Sequence, residues 1–198
     1  MANFADMGLG KHLFQPFSMR ITIEKTTGLV IDIQERLFPA MHNKEALLKN
    51  CTMLIRGLQI LEVNILVTQQ YTHGLGATLP EIAEVLGDFS PFEKRDFSCC
   101  GSDDFNQTLK LSGASNILLC GIESHVCVLQ TAVDLKQLGY FPIVVLDAVS
   151  SRFPHHLDLA RERYRHEGIM MTSTESVLFE LTRSSSSPQF KAISQLVK

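Results

Sequence analysis

The segment Gly121–Val128, Gly-Ile-Glu-Ser-His-Val-Cys-Val, combines a cysteine with the local features that could activate it. The apolar run Asn116-Ile-Leu-Leu-Cys-Gly121 reads as a short buried strand ending on glycine. Ser124 has the side chain of a helix N-cap, which places Cys127 in the first turn of a helix, at the carboxyl end of a strand. Unpaired backbone N–H groups and the positive end of the helix dipole gather there. Both favour a thiolate, the nucleophilic form of cysteine, and the same N–H groups suit an oxyanion. A buried structural cysteine is the competing reading, because free cysteines are among the most buried side chains.

Two further residues bear on that choice. Leu29-Val-Ile-Asp32-Ile-Gln34 is an apolar strand with one carboxylate near its carboxyl end, a costly placement unless the acid is paired or functional. Lys94 sits in Pro91-Phe-Glu-Lys-Arg-Asp-Phe-Ser98, between phenylalanines, where an ordinary surface charge is the alternative. In a parallel α/β sheet the strand ends converge on one edge, so Asp32, Lys94 and Cys127 could meet there as base, cation and nucleophile.

These three residues, with Gly121-Ile-Glu-Ser-His-Val-Cys127, resemble in order and spacing the pattern of the isochorismatase-like cysteine hydrolases, the family that includes the nicotinamidases. The resemblance runs from about Thr27 to Lys198 and is nearest to the isochorismatase domain-containing proteins. Asp32-Ile-Gln-Glu-Arg36, Thr68-Gln-Gln-Tyr71, Gly74-Leu-Gly76, Lys94-Arg-Asp-Phe-Ser98, Cys120-Gly-Ile-Glu123, Asp147–Arg152 and Pro188-Gln-Phe-Lys191 carry it.

The resemblance implies a hydrolase acting on a small-molecule amide or related C–N bond. Asp32, Lys94 and Cys127 would form its triad, and the intermediate would be a thioester-like acyl-enzyme. It implies a cis peptide bond at Ile122–Glu123 and an oxyanion hole built from the Glu123 and Cys127 N–H groups. Relatives also usually assemble, so a homo-oligomer is expected. Nicotinamidases hold a metal with an Asp-x-His segment and a further His. Gln69-Gln70-Tyr71 lacks that set, so neither a metal nor another cofactor is expected. The founding isochorismatases cleave a vinyl ether and lack the cysteine, which sets Cys127 apart from that chemistry. A non-catalytic interaction protein retaining the fold is the alternative function. Glu123 departs from the small residue common among relatives, which would narrow the pocket or select a cationic substrate. Gln34, Phe38, Gln70 and Tyr71 fall on strand-end loops as candidate pocket residues, with packing or turn polarity as their plainer roles. His125, two residues before Cys127, would point to the opposite side of a helix and is not expected to act as its base. His155-His156 reads as surface, and His73 as a loop residue near the site.

Strands read at about 27–34, 63–69, 92–94, 116–120, 142–147 and 169–172. Helices read at about 44–61, 80–86, 103–112, 125–138, 156–167 and 189–197, with a short one after Thr174. Nearly continuous apolar strands indicate a parallel sheet covered on both faces, and the alternation indicates one doubly wound α/β domain, a Rossmann-like three-layer sandwich. No Gly-x-Gly-x-x-Gly follows a strand, so the dinucleotide-binding fingerprint is lacking.

The expected organisation is an N-terminal arm at 1–20, the hydrolase domain at 21–183, and a serine hinge with a C-terminal helix at 184–198. That helix would pack on the domain or on a partner subunit through Phe190, Ile193 and Val197. The 198 residues suit one full core, and a net charge of −3 argues against nucleic acid. No apolar run reaches the roughly 18 residues of a membrane span. Five cysteines, an odd count with no Cys-x-x-Cys and no signal-peptide pattern, suggest a reducing, cytoplasmic setting, with organelle import left open. Cys51 and Cys120 read as core residues, and Cys99-Cys100 as a turn beside the Lys94 segment.

Overall fold

The structure, a computed structural model, describes residues 20–198. Nearly all of the expected 1–20 arm lies outside the described residues. The sheet has six strands, all parallel: β1 Thr26–Ile31, β2 Asn64–Gln70, β3 Phe92–Lys94, β4 Asn116–Ile122, β5 Phe141–Ser150 and β6 Met170–Thr172. Their order is β3-β2-β1-β4-β5-β6. The order reverses between β1 and β4, which opens a crevice beyond their carboxyl ends.

The helices are α1 Lys44–Ile60, α2 Thr72–Leu75, α3 Pro80–Leu86, α4 Asp103–Leu111, α5 Leu129–Gln137, α6 Pro154–His166, α7 Thr174–Thr182 and α8 Phe190–Leu196. Side-chain alternation along β1 shows why both faces are covered. Val30 packs with Leu54, Ile55 and Leu58 of α1 and with Val177 and Leu178 of α7. Its neighbours Leu29 and Ile31 join Phe105 of α4, Ala132 and Leu135 of α5, and Tyr164 of α6 on the other face. Helix α8 lies on its own domain: Ile193 is buried in the α1–α7 layer, and the Phe190 and Phe179 rings are 6.3 Å apart.

The structure departs from the sequence reading in several elements. Strand β1 ends at Ile31 rather than at 34, because Asp32 turns the chain with a positive φ, and Thr72–Leu75 forms the short helix α2 where a loop is expected. The helix expected from residue 125 begins instead as a π-helical turn, Ser124–Val128, and becomes α-helical at Leu129. Ser124 is not its N-cap: the hydroxyl of Ser124 lies 3.0 Å from the Tyr164 hydroxyl, which donates to the Ser124 carbonyl at 2.6 Å. Strand β5 runs on to Ser150, beyond the expected end at 147. It leaves the ladder after Val144, opposite Leu119, and rejoins β4 where Val149 pairs with Gly121. The small and polar residues of Asp147-Ala-Val-Ser150 hide that second pairing from the sequence pattern.

Candidate active site

Three strand-to-helix connections supply the site. Asp32 follows β1 directly, with no exposed surface and with φ at 52°, a conformation L-residues seldom adopt outside special sites. Its N–H is held by the Thr68 carbonyl at 3.3 Å, which fixes the turn. Lys94 ends β3 and is 3% exposed. Cys127 lies in the π-helical turn after β4 and is 5% exposed. Gly121 lets β4 approach β1: its φ is 117°, and a Cβ there would sit 2.1 Å from the Ile31 carbonyl oxygen. The closeness carries the Cys127 turn against the Asp32 turn.

The Lys94 ammonium is 2.7 Å from Asp32 Oδ2. It also donates to Gln70 Oε1 at 2.6 Å, to the Phe97 carbonyl at 3.0 Å and to the Asp96 carbonyl at 3.3 Å. Asp32 Oδ1 accepts from the Thr68 hydroxyl at 2.8 Å. Apart from Lys94, Oδ2 has no hydrogen-bond partner among the described residues. Burial pulls the Lys94 ammonium down, but Asp32 and Cys127 together raise it above its ordinary value, so it stays charged.

Cys127 departs from the expected thiolate. Burial, and then the negative charge of Asp32, push its thiol up to about 12 against a smaller lowering by Lys94. The resting side chain is a thiol beside a carboxylate, and helix-terminus stabilisation does not prevail. Cys99 is buried next to this group, its Sγ 3.8 Å from the Thr68 hydroxyl, and burial with the Asp32 charge pushes it up to about 12 as well. Its neighbour Cys100 is half-buried and likewise pushed up, to about 11, by burial.

The Ile122–Glu123 peptide bond is cis. Among the described residues the Glu123 N–H donates to no backbone carbonyl. The Glu123 side chain does not project into the site as an open anion. Its carboxylate takes the Arg152 N–H at 3.0 Å and the Arg152 Nε at 3.2 Å, tying the Cys127 turn to the β5–α6 connection. That pairing offsets the charge expected to select a cationic substrate.

Of the pocket candidates, Gln34 is fully buried and its amide is consumed. It donates to the Gln70 and Gly76 carbonyls at 3.0 and 2.7 Å and accepts the Gln70 N–H at 2.7 Å. Phe38 is part of the apolar core. Tyr71 is exposed, with the Arg95 guanidinium 4.4 Å above its ring, and Gln70 faces Lys94. His73 is exposed on α2, its ring 6.0 Å from that of Tyr71. His125 binds the Ser151 hydroxyl through Nδ1 at 2.9 Å. His156 is half-buried rather than a plain surface residue: its ring lies tilted 4.1 Å from the His125 ring and edge-on 4.2 Å from the His155 ring. Sequence reasoning missed Thr68 as a holder of Asp32, although its place two residues before Gln70 on an apolar strand was a usable signal. Among the described residues no three His, Cys, Asp or Glu side chains converge as metal ligands.

Residues 26–176 match the family model of the isochorismatase domain. The secreted isochorismatase effector Isc1 of Phytophthora sojae is 37% identical over 85% of this chain and 82% of its own length. Isochorismatase domain-containing protein 2 of Danio rerio is 34% identical over 90% of this chain and 89% of its own. A solved structure described as the MAR1 ribonuclease from Caenorhabditis elegans is 35% identical, with a TM-score of 0.85 over 90% of this chain and 92% of that one. With its sheet order, its strand-end site and these relatives, the chain belongs to the isochorismatase family, among the isochorismatase domain-containing proteins.

Proposed function

We propose that the protein is a cysteine hydrolase that cleaves an amide or related C–N bond of a small molecule through Cys127, Asp32 and Lys94. The observation that carries this reading is the buried Asp32–Lys94 ion pair, 2.7 Å long, beside the Cys127 thiol. Burying two charges is expensive, and an apolar replacement of similar shape is often no less stable. A role in chemistry accounts for keeping them.

As the substrate carbonyl approaches, Asp32 takes the thiol proton on Oδ2 and the sulfur bonds to the carbonyl carbon. The Glu123 and Cys127 N–H groups receive the oxyanion. Lys94, charged throughout, offsets the negative charge as it moves from Asp32 to sulfur. Collapse expels the amine, which leaves with the proton held by Asp32, and a thioester remains. Asp32 then draws a proton from water, hydroxide adds to the thioester, and the acid leaves as the proton returns to sulfur. The high resting thiol is compatible with this sequence because the proton moves only when a substrate is seated.

The test is hydrolysis of a panel of amides, ureides and thioesters, with intact-mass detection of an acyl adduct on Cys127. Turnover of a panel member that disappears in Cys127→Ala and Asp32→Asn supports the proposal. The Caenorhabditis elegans relative is described as a ribonuclease, so labelled single-stranded RNA belongs in the panel. RNA cleavage that survives Cys127→Ala, or a panel without any turnover or adduct, overturns it in favour of a nuclease or a non-catalytic protein.

A further inference from the structure

We infer that Gln70 is a positioning residue whose side-chain amide holds the Lys94 ammonium between the Asp32 carboxylate and the Cys127 sulfur. The inference goes beyond the proposed reaction and rests on it for the roles of those three residues.

Thr68 and Gln70 stand two apart on β2 and therefore share a face of the sheet. The first donates to Asp32 Oδ1 at 2.8 Å, and the second accepts from Lys94 Nζ at 2.6 Å. One strand face thus grips both members of the buried ion pair.

The Gln70 amide is fixed in orientation by its partners. Its Nε2 donates to the Arg95 carbonyl at 2.7 Å. Turning it over would put an NH2 against an ammonium and an oxygen against a carbonyl. Its backbone is clamped on both sides by Gln34, which accepts the Gln70 N–H and donates to the Gln70 carbonyl. The two glutamines that the sequence marks as pocket candidates form one buried support behind Lys94.

The neutrality of this support matters. Lys94 meets four oxygens, of which only Asp32 Oδ2 carries charge, while Gln70 Oε1 and the Asp96 and Phe97 carbonyls are neutral. Among the groups that can ionise around it, the cation therefore faces the Asp32 carboxylate and the Cys127 and Cys99 thiols, with no second carboxylate. A second carboxylate at position 70 would take part of that charge in a site of low dielectric and make the thiolate harder to form. A side chain without an acceptor would free the ammonium to settle on the backbone carbonyls and Asp32, away from sulfur.

The experiment measures iodoacetamide alkylation of Cys127 by peptide mass spectrometry at fixed pH values between about 7 and 9. There the rate follows the small thiolate fraction, about tenfold per pH unit. Gln70→Glu, which keeps the shape, and Gln70→Met, which keeps the length, are compared with the wild type, with circular dichroism confirming the fold. The expected result is alkylation about tenfold slower in Gln70→Glu, corresponding to one pH unit, and slower in Gln70→Met. Folded variants that alkylate at the wild-type rate across this range overturn the inference. Asp32→Asn in the same assay separates the two failures. If Asp32→Asn changes the rate and neither Gln70 variant does, only the role of Gln70 fails. If Asp32→Asn also leaves it unchanged, the proposed coupling of Asp32 to the thiol fails with it.

Discussion

The ionisation of Cys127 is imposed from a distance: burial, and then the charge of Asp32 after β1, hold it as a thiol. The high thiol gives a counter-intuitive expectation. Replacing Asp32 by Asn removes the negative charge that helps push Cys127 up, so Cys127 alkylation at fixed pH becomes faster. Turnover of an identified substrate falls by about 100-fold or more, since the proposed base is gone. Parallel alkylation and steady-state assays check both directions. Lys94→Met leaves a fully buried carboxylate unpaired, a change that typically costs about 3–5 kcal/mol. Urea unfolding monitored by circular dichroism measures it. The polar pocket candidates were legible as residues but not as roles, because a glutamine that binds substrate and one that braces a lysine share the same sequence signal.

Most helices and strands were legible from hydrophobic period, because a parallel sheet covered on both faces forces continuous apolar strands between amphipathic helices. The π-helical turn was not. Nothing in Ser124–Val128 departs from an α-helical sequence, and its start is arranged by Tyr164, 40 residues away in the chain. Tyr164→Phe deletes the hydroxyl that satisfies the buried Ser124 carbonyl. The expected loss is about 1–3 kcal/mol, read by denaturant unfolding, together with altered Cys127 alkylation as the turn loosens. Gly121→Ala tests the approach of β4 to β1. Its backbone conformation alone disfavours a side chain by about 1–3 kcal/mol, and the added methyl meets the Ile31 carbonyl. The variant is expected to be less stable than Tyr164→Phe in the same unfolding assay.

At the scale of the whole molecule the buried thiols weaken stability at alkaline pH, and buried Cys51 and Tyr164, also raised, act in the same direction. Cys99 and Cys127 are both pushed from about 9 up to about 12 by burial, with Asp32 adding to it. The folded state therefore holds protons that the unfolded chain releases. Their contribution to stability is full below about pH 9 and declines as pH rises toward about 12, by up to about 1.4 kcal/mol per pH unit for each thiol. Lys94, raised above its ordinary value, acts in the same direction. A melting temperature that stays level between pH 9 and 11 would contradict this. Family habit makes a homo-oligomer the proposed assembly, expected in light scattering as a mass at least twice 22.1 kDa. The C-terminal helix supplies no separate argument for it, because its apolar residue Ile193 is already covered by α1 and α7. The bond between Tyr164 and the Cys127 turn also has an optical consequence. The chain has no tryptophan and only three tyrosines, Tyr71, Tyr140 and Tyr164. With the first two changed to Phe, the remaining phenol becomes the sole strong near-ultraviolet emitter, hydrogen-bonded to the backbone three residues before Cys127. Acylation or alkylation of Cys127 that shifts this turn would then register as a change in tyrosine emission, allowing occupancy of the site to be followed in real time with no label.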